Sequence, residues 1–122
     1  MRHMILVLAL CALGAVSAHA QDAVKVDPKH YKVELENDQV RVLRIQYGPH
    51  EKSVMHAHPA SVAIFLTDAH AMFTTPDGKT QEQSPKAGTT IYSPAGVHLP
   101  ENVGDKAFEL ILVELKGKPA GK

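Results

Sequence analysis

Two histidines one residue apart, His56-Ala57-His58, and a third, His98, forty residues beyond them, are the residues best placed to do chemistry. In an extended strand, residues i and i+2 face the same side, about 6–7 Å apart. His56 and His58 can therefore aim both imidazoles at one point. His98 lies just beyond Pro94-Ala95-Gly96, a turn from which an adjacent strand can bring it to that same point. Three neutral imidazoles converging inside a small barrel make a metal site. Three protein ligands leave a position open, the pattern of catalytic rather than structural centres.

Other polar side chains rank behind these three. With eight histidines in 122 residues, an H-x-H pair alone is a weak motif, and the third histidine behind Pro-x-Gly gives it weight. His50 falls in the loop Gly48–Lys52, His30 near the start and His70 between two apolar runs; each reads as a solvated surface residue. Glu101, Glu51 and Gln83 are the side chains to consider as a fourth ligand, and Glu101 and His50 the candidates for acid–base work. Asn102 reads as a turn-former or as a hydrogen-bond donor behind the ligands. Phe65, Tyr92, Phe73 and Met72 read as core or pocket lining.

Strands must carry these residues. His30 to Leu35 alternates, and Glu36-Asn37-Asp38 marks a turn. Val40, Val42, Leu43 and Ile45 mark a strand running to Tyr47, with Arg41 and Arg44 outward. The His56/His58 strand ends at Pro59-Ala60. Val62–Leu66 and Ala71–Thr74 are short apolar strands, and Thr75-Pro76-Asp77-Gly78-Lys79 is a hairpin turn in which Pro presets one dihedral and Gly takes the positive one. Thr80–Ser84, Gly88–Tyr92 and Phe108–Leu115 complete the set, with a polar tail from Lys116 to Lys122. After Ala20 there is no helical periodicity and no internal repeat. Short strands with turn signals every eight to twelve residues predict an all-β sandwich or barrel.

The first twenty residues stand apart. A basic start, Met1-Arg2-His3-Met4, precedes the apolar run Ile5–Val16, and Ser17-Ala18-His19-Ala20 presents small residues around a cleavage pattern. This is the signature of a secretory signal peptide, too short to span a membrane. It predicts an exported, periplasmic or secreted protein with one domain over residues 21–122. The single cysteine, Cys11, lies inside the apolar run behind Leu10, which does not suit lipidation, and residues 21–122 hold no cysteine to form a disulfide. Such a domain must rely on its core. Removing Arg2 takes the basic count from 13 to 12 against 13 acidic residues. A near-neutral chain without a basic cluster argues against nucleic acid or anionic lipid as partner. Gln21–Pro28 reads as a mobile lead-in or an edge strand.

Two motifs carry a family resemblance. Gly48, seven residues, then His56-Ala57-His58 resembles the first cupin motif. Gly88, Pro94-Ala95-Gly96, His98 and Asn102 resemble the second. The first motif departs in a gap two residues longer, and Val62 (or Ala63 on the longer spacing) stands where the family carries a ligand glutamate. The second has one residue fewer than usual between Gly96 and His98. The resemblance spans Tyr31 to Leu115, about residues 31–115. It implies a double-stranded β-helix, or jelly-roll barrel, with His56, His58 and His98 as metal ligands.

The missing carboxylate bears on the metal. Two histidines and a carboxylate suit iron(II), whereas imidazole-only sites suit copper, zinc or nickel, with affinity highest for copper. The expectation is one divalent transition metal per chain, copper favoured over iron, zinc, nickel or manganese. A glutamate restored at Val62 should draw iron or manganese. Three functions follow: a metal-dependent oxidoreductase acting on a small organic or carbohydrate substrate, a non-redox hydrolase, lyase or isomerase, and a non-catalytic binding protein. The first is favoured, since no buried carboxylate base stands out. No phosphate loop, serine elbow or paired-carboxylate spacing occurs. Unpaired barrel edges predict a homodimer, docked through the lead-in from Val24 to Leu35.

Overall fold

The computed structural model describes residues 21–117; the expected signal peptide and the end of the polar tail lie outside them. One helical turn, α1 (Ala23–Val26), precedes nine strands: β1 (Tyr31–Glu36), β2 (Val40–Tyr47), β3 (His56–His58), β4 (Ser61–Phe65), β5 (Ala71–Thr74), β6 (Thr80–Gln83), β7 (Thr90–Ser93), β8 (Gly96–Asn102) and β9 (Phe108–Leu115). They form two antiparallel sheets, a five-stranded one in the order β1-β2-β9-β4-β7 and a four-stranded one in the order β3-β8-β5-β6.

The parity of side chains along the central strands fixes which residues face inward. On β9, Phe108, Leu110 and Leu112 are buried while the residues between them are partly exposed. Their partners on β2 are Tyr47, Ile45 and Leu43, also buried, and on β4 Leu110 and Leu112 meet Phe65 and Ala63. A one-residue slip would turn every one of these side chains to the outside, so the apolar pattern locks the register. The expected hairpin turn joins β5 to β6: Gly78 takes φ 85°, and the amide of Thr75 donates to the carbonyl of Lys79 at 2.9 Å.

Two expectations are corrected. Gln21–Pro28 is a docked helical turn and not a free edge strand. Its helical turn buries Ala23 completely, and the amide of Ala57 donates to the Gln21 carbonyl at 2.9 Å, which fastens the segment alongside β3. Arg41 does not point outward. It shares the inward parity of Leu43, Ile45 and Tyr47, and the isolated apolar run beginning at Val40 hid this. Arg44, on the opposite parity, does face out.

Candidate metal centre

β3 and β8 pair so that His56 lies directly opposite His98, and His58 opposite Gly96. The expected strand carries the first two histidines on one face. Gly96 is the first residue of the partner strand rather than part of a turn, and it sets no side chain against His58. One ring nitrogen from each of His56, His58 and His98 lies within 4.8 Å of the others. The three rings meet edge to face, with centroids 4.8–5.2 Å apart.

Hydrogen bonds behind the rings decide which nitrogens face the centre. Nδ1 of His56 is 2.8 Å from the Val54 carbonyl oxygen, which can only accept, so Nδ1 carries the hydrogen and Nε2 the lone pair. Nδ1 of His58 donates to Glu114 Oε2 at 2.6 Å. Nε2 of His30, His56 and His98 are buried without any hydrogen-bond partner in the protein, and the last two belong to the cluster. An orphaned buried nitrogen costs stability unless something else satisfies it. A metal ion answers that need, so the residues fit one. Burial, reinforced by the neighbouring His58, lowers the pKa of His56 to about 4; burial with His58 and His56 lowers that of His98 to about 3. Both imidazoles stay neutral well below neutral pH, the form in which a histidine can bind a metal.

Glu114 is the residue that sequence reasoning missed. Its side chain is 2% exposed. Burial pushes its pKa up, but the hydrogen bonds from His58 and Arg41 outweigh that and hold the carboxyl below its ordinary range. Its second oxygen accepts from Arg41 Nε at 2.6 Å, and Arg41 continues to Asp22 through its guanidinium. A relay Asp22–Arg41–Glu114–His58 therefore runs across the sheet. The signal was present: Glu114 falls on the same parity as Phe108, Leu110 and Leu112. A second polar group stands behind His56, where Asp27 accepts from Ser53 Oγ at 2.6 Å and from His30 Nδ1 at 2.7 Å.

The other candidates separate clearly. His30 is buried, contrary to expectation, because Asp27 holds one face of it in place while its ring stacks on Tyr47 at 4.2 Å. His50 and His70 are exposed and pair with Asp105 and Glu82. Glu101 alternates with His98 and Asn102 on β8 and so faces the other side of the sheet. Glu51 is spent on Lys29 and on the Gly48 amide. None of these joins the histidine cluster among the described residues. Asn102 is fully buried and acts as a turn-former: Nδ2 donates to the Gly48 and Lys106 carbonyls at 3.0 and 2.8 Å, and Oδ1 accepts from the Gly104 amide. Phe65 lines the interior as expected. Tyr92 does not: it sits on β7, 63% exposed, opposite Val62. Val62 shares that outer face, since Ser61, Ala63 and Phe65 are the β4 residues turned to the interior. A glutamate at Val62 would point away from the histidines.

A two-sheet antiparallel barrel with histidines converging from two paired strands is the cupin fold. Solved structures bear this out. A cupin domain from Bordetella pertussis Tohama I is 24% identical with a TM-score of 0.66, over 71% of this chain and 92% of that one. A protein with a double-stranded β-helix domain from Klebsiella pneumoniae is 22% identical, TM-score 0.59, over 74% and 78%. An RmlC-like cupin family protein from Methanocaldococcus jannaschii is also 22% identical, TM-score 0.56, over 73% and 83%. No protein-family model matches the sequence, and no curated relative does. At these identities the likeness establishes the fold, and the chemistry rests on the residues themselves.

Proposed function

We propose that the protein is an exported cupin in which His56, His58 and His98 hold one divalent transition metal, and that it acts as a metal-dependent oxidoreductase on a small organic substrate. The observation that carries this reading is the pair of orphaned, buried Nε2 atoms on His56 and His98 beside the ring of His58. An all-imidazole ligand set favours copper, with iron second. A bound ion of this kind would supply one-electron redox chemistry toward oxygen or peroxide.

The chain's own residues do the rest. Glu114 and the Val54 carbonyl hold hydrogens on the outer nitrogens of His58 and His56, which fixes the ring orientations and raises ligand basicity. Tyr31 packs edge-on against His56 at 4.8 Å and closes that side to water. The non-redox alternative needs an acid–base residue beside the centre. Glu114 has both oxygens engaged, Glu101 faces away and His50 lies outside, so the residues favour redox chemistry over a hydrolase or lyase; a non-catalytic binding protein is the remaining alternative. In our reading the protein pairs as a homodimer across the outer edge of β1, where Val33 and Leu35 are exposed.

The test is metal content of protein purified from the periplasm without an affinity tag, together with electron paramagnetic resonance. About one copper per chain with a nitrogen-rich axial signal is expected. Zinc alone would move the reading to Lewis-acid chemistry, and failure to bind any metal would refute it.

A further inference from the structure

Five of the chain's six phenylalanines and tyrosines face a single cavity: Tyr31, Tyr47, Phe65, Phe73 and Phe108. The sixth, Tyr92, lies on the outer surface. The cavity measures about 290 Å³, and His58 and His98 form part of its wall. Phe73 stacks on His98 with ring centroids 5.3 Å apart, so the aromatic wall and the histidine cluster are continuous. Exposed Thr75, Gln81 and Ser93 rim the mouth, while Leu110 and Leu112 close the floor. Among the described residues, no Asp, Glu, Lys or Arg lines the cavity.

This lining selects by chemistry. A carboxylate or phosphate entering the cavity would give up its water without meeting a cation there. A sugar would meet side-chain partners at Ser61, Gln81, Gln83 and Ser93, but its other hydroxyls would lose water against aromatic and aliphatic walls. An aromatic ring fits, since offset and edge-on contacts with several rings are favourable. Size can be set as well. An apolar cavity of about 150 Å³ takes benzene, so nearly twice that volume admits a second fused ring.

We propose that the cavity binds a small, uncharged aromatic molecule of about the size of a bicyclic phenol, with its polar group toward His58 and His98. The identity of this molecule as substrate rests on the metal-centre reading above; its binding does not. Carbohydrate is thereby set aside as the substrate class.

The experiment uses metal-free protein in chelator, with 2-naphthol, 2-naphthoate and cellobiose as probes. The chain has no tryptophan, so naphthol fluorescence is read against a dark background. One naphthol should bind per chain, naphthoate at least about thirtyfold more weakly, and cellobiose should not displace it. Two variants locate the site. Ala63→Phe fills the cavity and should abolish naphthol binding; Phe73→Ala removes one wall, needs no extra volume, and should weaken binding about tenfold. His56→Ala, at the one histidine of the cluster that does not line the cavity, should lose metal yet keep naphthol. Absence of naphthol binding, equal binding of naphthoate, displacement by cellobiose, or indifference to both wall variants would overturn the proposal. Naphthol binding in a protein that takes up no metal would sustain it while removing the metal-centre reading, and the reverse result would do the opposite.

Discussion

Glu114→Gln is the perturbation with the most to say about this site. The carboxylate sits between two donors, His58 Nδ1 and Arg41 Nε, each at 2.6 Å. Glutamine keeps the shape but offers one acceptor and one donor. With the amide oxygen toward His58, the NH₂ group meets Arg41 Nε, N–H against N–H. With the oxygen toward Arg41, His58 must face the NH₂ group or shift its hydrogen from Nδ1 to Nε2, the nitrogen that faces the cluster. At least one charge-assisted bond is lost, at about 2–3 kcal/mol. For a domain of about 100 residues each kcal/mol is worth roughly 4–8 °C in melting temperature, so a drop of about 10 °C or more is expected. If the amide turns its oxygen toward Arg41, the larger charge, His58 loses the partner that fixes its ring, and metal affinity should fall about 10–100-fold.

Thermal melting and competition against a chelator of known affinity read the two effects separately. A nitrogen-correlated NMR spectrum of metal-free protein adds a third reading, because the wild type should show His58 protonated at Nδ1 and the variant a mixture. Glu109→Gln on the same strand is the control: its carboxylate lies on the outer face with Arg44 and Gln46, where surface ion pairs are worth less than about 1 kcal/mol. Should a folded Glu114→Gln protein bind metal within about twofold of wild type, Glu114 would have no orienting role of the kind such partners have.

Further outcomes follow from the same geometry. The folded pKa values of His56 and His98, about 4 and about 3, lie below the ordinary 6.5. The unfolded chain therefore takes up protons first, and the stability of metal-free protein should be level above pH 7 and fall as pH drops from 6.5 toward 4; a flat series of thermal melts across that range would refute the burial argument. His56→Ala and His98→Ala should each abolish stoichiometric metal binding, while His70→Ala, at an exposed pair with Glu82, should not; equal loss in all three would place the site elsewhere. Val62→Glu should leave metal preference unchanged, because that side chain lies on the outer face with Tyr92, and a shift toward iron in metal-competition assays would contradict this orientation. Asn102→Ala should lower the melting temperature while leaving metal affinity intact, since its bonds go to backbone groups of two turns.

The strands and the shared face of His56 and His58 were legible because each is a local pattern, and His98 because Pro94-Ala95-Gly96 before it marks a turn toward them. Phe108 to Leu115 announces a strand by composition alone, and His56-Ala57-His58 announces a shared face by spacing alone. What escaped was information held between strands. Arg41 looks outward when Val40 and Val42 are taken as the buried pair; only the match of β2 to β9, Leu43 to Leu112 and Tyr47 to Phe108, shows that the odd positions of β2 face in. The same register sets Arg41 opposite Glu114 and Ser61 opposite Glu114 from the other side. Val62 was misplaced for the same reason, by a shift of a single residue on a strand that is apolar on both faces. His30 escaped because its burial depends on Asp27 and Tyr47, which reach it from the helical turn's end and from β2.

The failures share a physical cause that bears on function. A charged residue on the inward parity of a strand is too costly to keep unless it is paired. Arg41 and Glu114 are paired with each other, and each has a further partner, Asp22 for one and His58 for the other. Remove His58 from that chain and Glu114 retains Arg41; remove Glu114 and Arg41 retains Asp22, but His58 keeps no partner for Nδ1. The dependence runs toward the histidine. An ion pair built only for stability would gain nothing from ending on an imidazole whose other nitrogen faces a cavity. An inward Arg–Glu pair that terminates on one of three converging histidines is the arrangement expected if the sheet's polar end is organised around a metal ligand, and a double-mutant cycle between Arg41→Met and Glu114→Gln, read by metal affinity rather than stability, would measure that coupling directly.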